Sequence, residues 1–139
     1  MSRNILVTGG AGFIGRELVR NLIKSNYHVT SFDVSEQFSR HKEFFNNLDN
    51  SKLLIHSGSI LDKTALRSAF KNVDTVIHLA AMLGVKKTES NRLSCMEINV
   101  SGTENVLNAC VLDNVKKIIF ASSSEVYGEP SHNPISEDD

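Results

Sequence analysis

Closely spaced glycines near the amino terminus have the pattern of a phosphate-binding loop. The stretch from Thr8 to Gly15 reads Thr-Gly-Gly-Ala-Gly-Phe-Ile-Gly and directly follows a short apolar run. Gly10, Gly12 and Gly15 form G-x-G-x-x-G, whereas Gly9 with the same two later glycines forms T-G-x-x-G-x-x-G. Such glycines permit a tight turn, a close approach of a diphosphate to the main chain and close packing of the next helix. Main-chain N–H groups and the positive end of that helix would then hold the diphosphate.

An acidic residue stands where a dinucleotide site needs one. Asp33 ends the run from His28, which the pattern predicts as a second strand, about 20 residues beyond the glycines. Its carboxylate can accept hydrogen bonds from both hydroxyls of a ribose, and it would repel a 2′-phosphate. The next residues, Val34 and Ser35, carry no cation that would offset this repulsion. The residues therefore predict NAD as the cofactor in preference to NADP.

The elements that must position these residues alternate along the chain. Apolar runs that predict strands occupy residues 5–7, 28–33, 53–55, 73–80 and 118–120, and the first of them is typical of a buried strand. Helical spacing is present at 13–23, at 62–70 behind Asp62 as a cap, and over a long stretch at 88–112. A short helix between loops is expected within the polar stretch 35–50. Strands separated by helices favour βαβ units. The sequence thus predicts an α/β fold, a Rossmann-type doubly wound parallel sheet with helices on both faces that ends after the fifth strand.

Composition excludes several classes of function. The chain has 139 residues, of which 40% are hydrophobic, and a net charge of -1, which would attract neither nucleic acid nor an anionic membrane. No segment approaches the roughly 20 apolar residues of a membrane span. Cys95 and Cys110 lack C-x-x-C spacing and are interpreted as buried free thiols of a cytoplasmic protein. We expect no metal site.

Taken together, the motifs resemble those of the extended short-chain dehydrogenases/reductases, specifically the NAD-dependent sugar-nucleotide epimerase/dehydratase family. Besides the glycine loop and Asp33, the matching segments are His78-Leu79-Ala80-Ala81, Asn99-Val100-Ser101-Gly102-Thr103 and Ser122-Ser123-Ser124-Glu125-Val126-Tyr127-Gly128. The resemblance implies a nucleotide-sugar substrate and epimerisation by transient hydride transfer, as in a UDP-glucose 4-epimerase. Dehydration or decarboxylation of a nucleotide sugar, and a non-catalytic dinucleotide-binding module, remain open as alternatives.

The same resemblance implies a set of cofactor contacts. The main chain of Phe13 and Ile14 would face the pyrophosphate, and the small residues after the fourth strand would pass the ribose and phosphates. Asn99 would lie near the cofactor, with an ordinary packing role as the alternative. Ser59 stands where the family usually has an aspartate that contacts adenine, so that contact is expected to be weaker or water-mediated. The full expected set is Gly9, Gly12, Phe13, Ile14, Gly15, Asp33, Ser59, Ile60, Leu79, Ala80, Ala81, Asn99 and Ser122.

Catalytic roles are implied for the residues after the fifth strand. Ser123 occupies the family's Ser/Thr position, where a hydroxyl bonds the sugar oxygen that is oxidised. Ser124 and Glu125 would face the sugar. An acid at this position is typical of dehydrating or decarboxylating members, but it also occurs in epimerase-like members. His78 is interpreted as a core histidine whose partners are main-chain groups, not as a base or a ligand.

The family's base, a tyrosine with a lysine four residues later, has no counterpart in the sequence. Tyr27 and Tyr127 are followed four positions on by Ser31 and Ser131. We therefore expect residues 1–139 to be an incomplete NAD-binding domain that lacks the Tyr-x-x-x-Lys helix and the carboxy-terminal substrate-binding region. On this interpretation the 139 residues alone do not turn over, and the full-length protein is a homodimer.

Overall fold

Short parallel strands form the centre of the fold. The computed structural model describes residues 4–82, 90–129 and 133–136. Its sheet has five strands in the order β3-β2-β1-β4-β5, and each neighbouring pair is parallel. The strands are β1 (Asn4–Thr8), β2 (His28–Asp33), β3 (Leu53–Ser57), β4 (Thr75–His78) and β5 (Lys117–Phe120). The predicted parallel sheet is confirmed, although β4 is shorter than the apolar run at 73–80.

Helices connect the strands. They are α1 (Phe13–Lys24), α2 (Ser35–Arg40), α3 (Lys42–Asn46), α4 (Lys63–Ala69), α5 (Arg92–Met96) and α6 (Thr103–Leu112), with a π-helical segment (Glu97–Gly102) between the last two and a 3₁₀-helix (Ser124–Tyr127) after β5. Asp62 caps α4 as predicted, because its Oδ1 accepts from the N–H groups of Thr64 at 2.9 Å and Ala65 at 3.1 Å. The predicted helix at 88–112 is continuous from residue 92, and its π-helical turn was not predicted. Residues 88 and 89 lie outside the described part.

Apolar side chains pack on both faces of the sheet. Ile5 and Val7 of β1 contribute to a cluster with Val19 of α1, whereas Leu6 between them contributes to a second cluster with Leu66 of α4 and Val106 of α6. This alternation is the period of two that a strand imposes on its side chains. Helices therefore cover both faces, which confirms the prediction of a doubly wound fold.

The order of the strands places a crevice at one edge of the sheet. β1 lies between β2 and β4, so successive strands are added on one side up to β3 and then on the other. Such a switch point opens a crevice beyond the carboxyl ends of the strands, where α/β proteins bind ligands. The loops after β1 and β4 border this crevice.

The fold also bears on membrane spanning and on the two cysteines. Within the described ranges, no helix has the length and apolar character needed to cross a membrane. Cys95 and Cys110 both have free thiols, and Cys110 is buried as predicted. The prediction is wrong for Cys95, which is only half-buried because its Sγ faces the segment after β4, 3.9 Å from the Met82 carbonyl oxygen, and not the sheet core.

Candidate functional site

The glycine-rich loop joins β1 to α1, and three of its glycines are required by packing. Gly9 has φ of +70°, and a Cβ there would lie 2.7 Å from the main-chain nitrogen of Ala80. Gly15, in the first turn of α1, packs so closely on the loop that a Cβ would overlap the carbonyl oxygen of Gly9. A Cβ on Gly10 would overlap the Ser31 hydroxyl of β2. The loop is therefore held between β2, the segment after β4 and α1.

Gly12 differs from its neighbours because the fold alone does not require it. Its φ of -71° is accessible to other residues. A Cβ at this position would meet a single main-chain atom within 4 Å, the Gly9 carbonyl oxygen at 3.2 Å. The loop is thus open on the side to which that Cβ would project. This is the position at which a dinucleotide loop needs room for its diphosphate.

No side chain of α1 itself compensates the amino-terminal end of this helix. Gly12 is the N-cap and offers no side-chain acceptor, and the first turn contains no acidic residue. The first N–H groups of a helix have no acceptor within the helix, and the helix dipole makes this end positive. Phe13 and Ile14 lie beside it with 85% and 68% of their surface exposed. The first turn of α1 is positive, has no side-chain cap, and lies next to exposed apolar side chains. Such a surface fits a ligand with an anionic group and an apolar or ring-containing part.

Asp33 lies at the carboxyl end of β2, next to this loop. Its Oδ2 accepts from the N–H of Ala11 at 3.1 Å, and its Oδ1 accepts from the N–H of Val34 at 2.8 Å. Burial raises the pKa of the Asp33 carboxyl, and main-chain hydrogen bonds from Val34, Ala11 and Gly12 offset part of this rise. The carboxylate therefore also orders the glycine-rich loop, a role that spacing alone did not reveal.

The segment after β4 adjoins the glycine-rich loop. The N–H of Leu79 donates to the carbonyl oxygen of Thr8 at 3.0 Å, and the N–H of Ala80 lies 3.4 Å from the Thr8 hydroxyl. Ala81 follows with an exposed side chain. The residues predicted on either side of a dinucleotide are thus brought together in one crevice.

His78, the last residue of β4, is 2% exposed. Its Nδ1 lies 2.6 Å from the Thr8 hydroxyl oxygen, and its Nε2 lies 3.0 Å from the Thr103 hydroxyl oxygen. Burial lowers the pKa of this imidazole. The interpretation as a core histidine is confirmed, but the expected main-chain partners are wrong. The imidazole reaches side-chain hydroxyls because Thr8 pairs with His78 in the sheet register and Thr103 begins the helix above.

Asn99 lies in the π-helical segment and holds the chain after β4. Its Oδ1 accepts from the N–H of Met82 at 2.7 Å, and its Nδ2 donates to the carbonyl oxygen of the same residue at 3.1 Å. The Nδ2 also lies 3.3 Å from the Cys95 sulfur. The side chain therefore anchors the segment that borders the crevice, which goes beyond ordinary helix packing.

Ser59 and Ile60 lie in the turn before α4. The Ser59 hydroxyl accepts a hydrogen bond from the N–H of Leu61 at 3.2 Å, which stabilises the turn that contains both residues. Ile60 is buried against Gly102, where a Cβ would come within 2.7 Å of the Ile60 Cγ1. Its carbonyl oxygen accepts from Asn105 Nδ2 at 3.1 Å. A contact from Ile60 to a ligand is thus limited to its main chain, and the sequence did not reveal the roles of Gly102 and Asn105.

The serine-rich segment follows β5 at the same edge of the sheet. The N–H of Ala121 donates to the His78 carbonyl oxygen at 3.3 Å, which keeps the chain beside the end of β4. Ser122 and Ser123 follow as exposed residues. The 3₁₀-helix then begins at Ser124, and the side chains of Ser124 and Glu125 lie outside the described residues.

Comparison with known proteins gives consistent matches. Residues 5–139 match the profile of a family described as the NAD dependent epimerase/dehydratase family. A UDP-N-acetyl-alpha-D-glucosaminuronate decarboxylase of Bacillus cytotoxicus is 42% identical over the whole chain, which covers 42% of that protein. A putative UDP-glucose 4-epimerase of Methanocaldococcus jannaschii is 41% identical over 96% of the chain and 42% of its own length.

A solved structure has the same fold. The UDP-glucose 4-epimerase of Bifidobacterium longum, in complex with NAD+ and UDP, superposes with a TM-score of 0.80 at 31% identity. The match covers 97% of this chain and 41% of that protein. The chain therefore spans less than half the length of the relatives it matches.

Proposed function

The chain belongs to the NAD-dependent epimerase/dehydratase family, and on this premise we propose that its glycine-rich loop and Asp33 bind NAD. The diphosphate would lie against the first turn of α1, where main-chain N–H groups donate to it over the open side of Gly12. The observation that carries this proposal is the contrast between Gly12 and the three packed glycines of the loop, Gly9, Gly10 and Gly15, since only Gly12 leaves room on its Cβ side.

Asp33 supports NAD as the preferred dinucleotide. Its half-buried carboxylate would accept hydrogen bonds from the ribose hydroxyls while it keeps its bond to the Ala11 N–H. A 2′-phosphate at the same place would bring a second negative charge to a group that burial already disfavours as an anion. We therefore expect tighter binding of NAD than of NADP.

The remaining contacts are part of the same proposal. The main chain of residues 79–81, the amide of Asn99 and the Ser59–Ile60 turn would border the cofactor, and Ser122 would close the crevice on the β5 side. Support comes from two hydrogen bonds: the N–H of Ala80 lies 3.4 Å from the hydroxyl of Thr8, where the glycine-rich loop begins, and Asn99 binds Met82, the residue that follows this segment. The adenine contact at Ser59 is expected to be weak or water-mediated, because its hydroxyl carries no charge and one of its two lone pairs already accepts from the Leu61 N–H.

We propose further that the whole protein epimerises a nucleotide sugar, as a UDP-glucose 4-epimerase does. When bound, NAD supplies a reversible hydride acceptor. The Ser123 hydroxyl would donate to the sugar oxygen and orient it for proton removal, with Ser124 and Glu125 facing the sugar. The tyrosine–lysine pair that would remove the proton is expected outside residues 1–139, because neither tyrosine of the sequence has a lysine four residues later.

Decarboxylation is a second candidate, and one observation favours it. The relative with 42% identity over the whole chain is named a UDP-N-acetyl-alpha-D-glucosaminuronate decarboxylase. Incubating the full-length enzyme with UDP-glucose and, separately, with a UDP-hexuronate distinguishes epimerisation from decarboxylation. Interconversion of the neutral sugars supports epimerisation, and release of CO₂ from the uronate supports decarboxylation.

Binding tests the proposal without turnover. Isothermal titration calorimetry of the full-length protein with NAD and with NADP should give a larger association constant for NAD. Equal or tighter binding of NADP would contradict the assigned role of Asp33. Absence of binding to both would contradict the cofactor assignment.

A cytoplasmic location and a homodimer of the full-length protein complete the proposal. The free thiols of Cys95 and Cys110 support a reducing compartment. Pairing through the helix at 92–112 is supported by its exposed apolar side chains, which are Leu93, Met96, Val100, Leu107, Val111 and Leu112. Sedimentation of the full-length protein as a monomer at micromolar concentration would contradict the dimer.

A further inference from the structure

A run of hydrogen bonds through His78 fixes where its proton lies. The Thr103 hydroxyl donates to the Asn99 carbonyl oxygen at 2.7 Å. Because a hydroxyl has one proton, Thr103 must accept from the imidazole at 3.0 Å, so Nε2 carries the proton. On the other side, Nδ1 then has a free lone pair and accepts from the Thr8 hydroxyl at 2.6 Å.

The same run closes into a circuit around the crevice. Thr8 immediately precedes the glycine-rich loop, and its hydroxyl oxygen also lies 3.4 Å from the N–H of Ala80. Two residues further on, Met82 is bonded at both its N–H and its carbonyl oxygen by Asn99. Asn99 and Thr103 are one helical turn apart, so the circuit returns to His78. Apart from the Thr103–Asn99 bond within the helix, each hydrogen bond of the circuit joins two segments that are distant in sequence.

The imidazole is enclosed by uncharged groups. Thr8 contacts it from β1, Thr103 from α6, and the Phe120 ring of β5 lies with its centroid 5.6 Å away. Buried hydrogen bonds of this kind are costly to break singly, because the partner left behind has no access to water. The imidazole therefore fixes the distance between β1 and the helix that carries Asn99.

We propose that His78 is a positioning residue for NAD binding, whose neutral imidazole with its proton on Nε2 holds the glycine-rich loop and the segment at 79–82 at a fixed spacing. The proposal rests on the proposed function, since it assumes that these two segments flank the dinucleotide. It assigns His78 no contact with the cofactor and no proton transfer. It affects binding indirectly, because its hydrogen bond to Thr8 positions the glycine-rich loop and its hydrogen bond to Thr103 positions Asn99, which holds Met82.

Two substitutions of one residue test the network. Thr103→Val keeps the shape of the side chain and removes the hydroxyl, whereas Thr103→Ser keeps the hydroxyl and removes the methyl group. We expect Thr103→Val to raise the Kd for NAD about tenfold, as a broken coupling network can do, and Thr103→Ser to change it by no more than about twofold. Val106→Ala, which loosens the core one turn further along without touching a hydroxyl, is the matched control and should bind as the wild type does.

A spectroscopic readout separates this role from general stability. In ¹⁵N NMR spectra of the ligand-free protein at neutral pH, we expect a pyrrole-like shift for His78 Nε2 and a pyridine-like shift for Nδ1. The opposite tautomer or an imidazolium would overturn the proposal. This test uses the wild-type protein, so it holds even if Thr103→Val does not fold. If the wild type binds NAD and Thr103→Val binds it equally well, only this inference fails. If the wild type binds no NAD, the proposed function fails as well.

Discussion

Gly12 and Gly15 should respond differently to substitution by alanine. Gly15→Ala places a methyl group against the main chain of Gly9 and Gly10, with 2.8 Å to the Cα of the latter. Gly12→Ala places it next to a single neighbour, the Gly9 carbonyl oxygen at 3.2 Å, which has to move by only a few tenths of an ångström. We therefore expect Gly15→Ala to damage the fold and Gly12→Ala to damage NAD binding.

The magnitudes follow from these contacts. Overpacking against main-chain atoms costs about 1–3 kcal/mol, of which the reduced entropy of the unfolded chain offsets about 0.4–1 kcal/mol. A net loss of about 1–2 kcal/mol lowers Tm by roughly 3–10 °C in a chain of this size. For Gly12→Ala the same entropic gain approximately cancels the poorer N-cap, so Tm should stay within about 3 °C of the wild type.

Binding should follow the opposite order among the folded variants. A methyl group at residue 12 would push the diphosphate away from the N–H groups of α1. Loss of a hydrogen bond to a charged group is worth about 1.5–3 kcal/mol, which is about ten- to a hundredfold in Kd. Thermal denaturation followed by circular dichroism, together with calorimetry of NAD binding, measures both effects on the same samples. The reasoning is refuted if Gly12→Ala binds NAD as tightly as the wild type, or if it destabilises the fold as much as Gly15→Ala does.

Three further predictions concern buried polar groups of the site. The lowered pKa of His78 means that the unfolded chain binds more protons once pH falls below about 6.5, so the free energy of unfolding should decrease from there toward lower pH. Urea titrations at several pH values measure this, and an equal slope in His78→Gln would contradict the assignment. The raised pKa of Asp33 predicts that NAD affinity weakens as pH falls through that pKa, because a protonated carboxyl accepts poorly from ribose hydroxyls. The Asp33→Asn variant should bind NAD more weakly than the wild type, and its NAD affinity should not change with pH in this range. Asn99→Ala removes both hydrogen bonds to Met82 and should lower the free energy of unfolding by about 1–3 kcal/mol. Hydrogen exchange at the Met82 amide should become faster, and an unchanged exchange rate there would count against the anchoring role.

Local patterns in the sequence predicted the architecture because each pattern has a local cause. The apolar run at 5–7 is buried from both sides in a parallel sheet, so it needs no alternation of polar residues. Asp62 caps its helix through N–H groups two and three residues away, which spacing alone reveals. The glycine loop and Asp33 were recognisable for the same reason, since one βαβ unit contains them all.

The missed features depend on contacts between distant segments. His78 meets Thr8 because β1 and β4 pair in one particular register, 70 residues apart, and no local pattern specifies that register. Asp33 orders the loop through the Ala11 N–H, although its spacing suggested only a ligand contact. The π-helical turn at 97–102 has the same apolar spacing as an ordinary helix, so periodicity did not distinguish it.

The measurement that bears most directly on the central claim follows individual main-chain amides during a titration with NAD. In ¹H–¹⁵N correlation spectra of the purified chain, the amides of Phe13, Ile14 and Gly15 should shift most, together with those of residues 79–81 and of Val34. Such a pattern would report a diphosphate at the first turn of α1 with its ribose beside Asp33. If NAD is added to saturation and these amides stay in place, or if the shifts cluster on α2 and α3 instead, the claim that this crevice binds the dinucleotide is wrong.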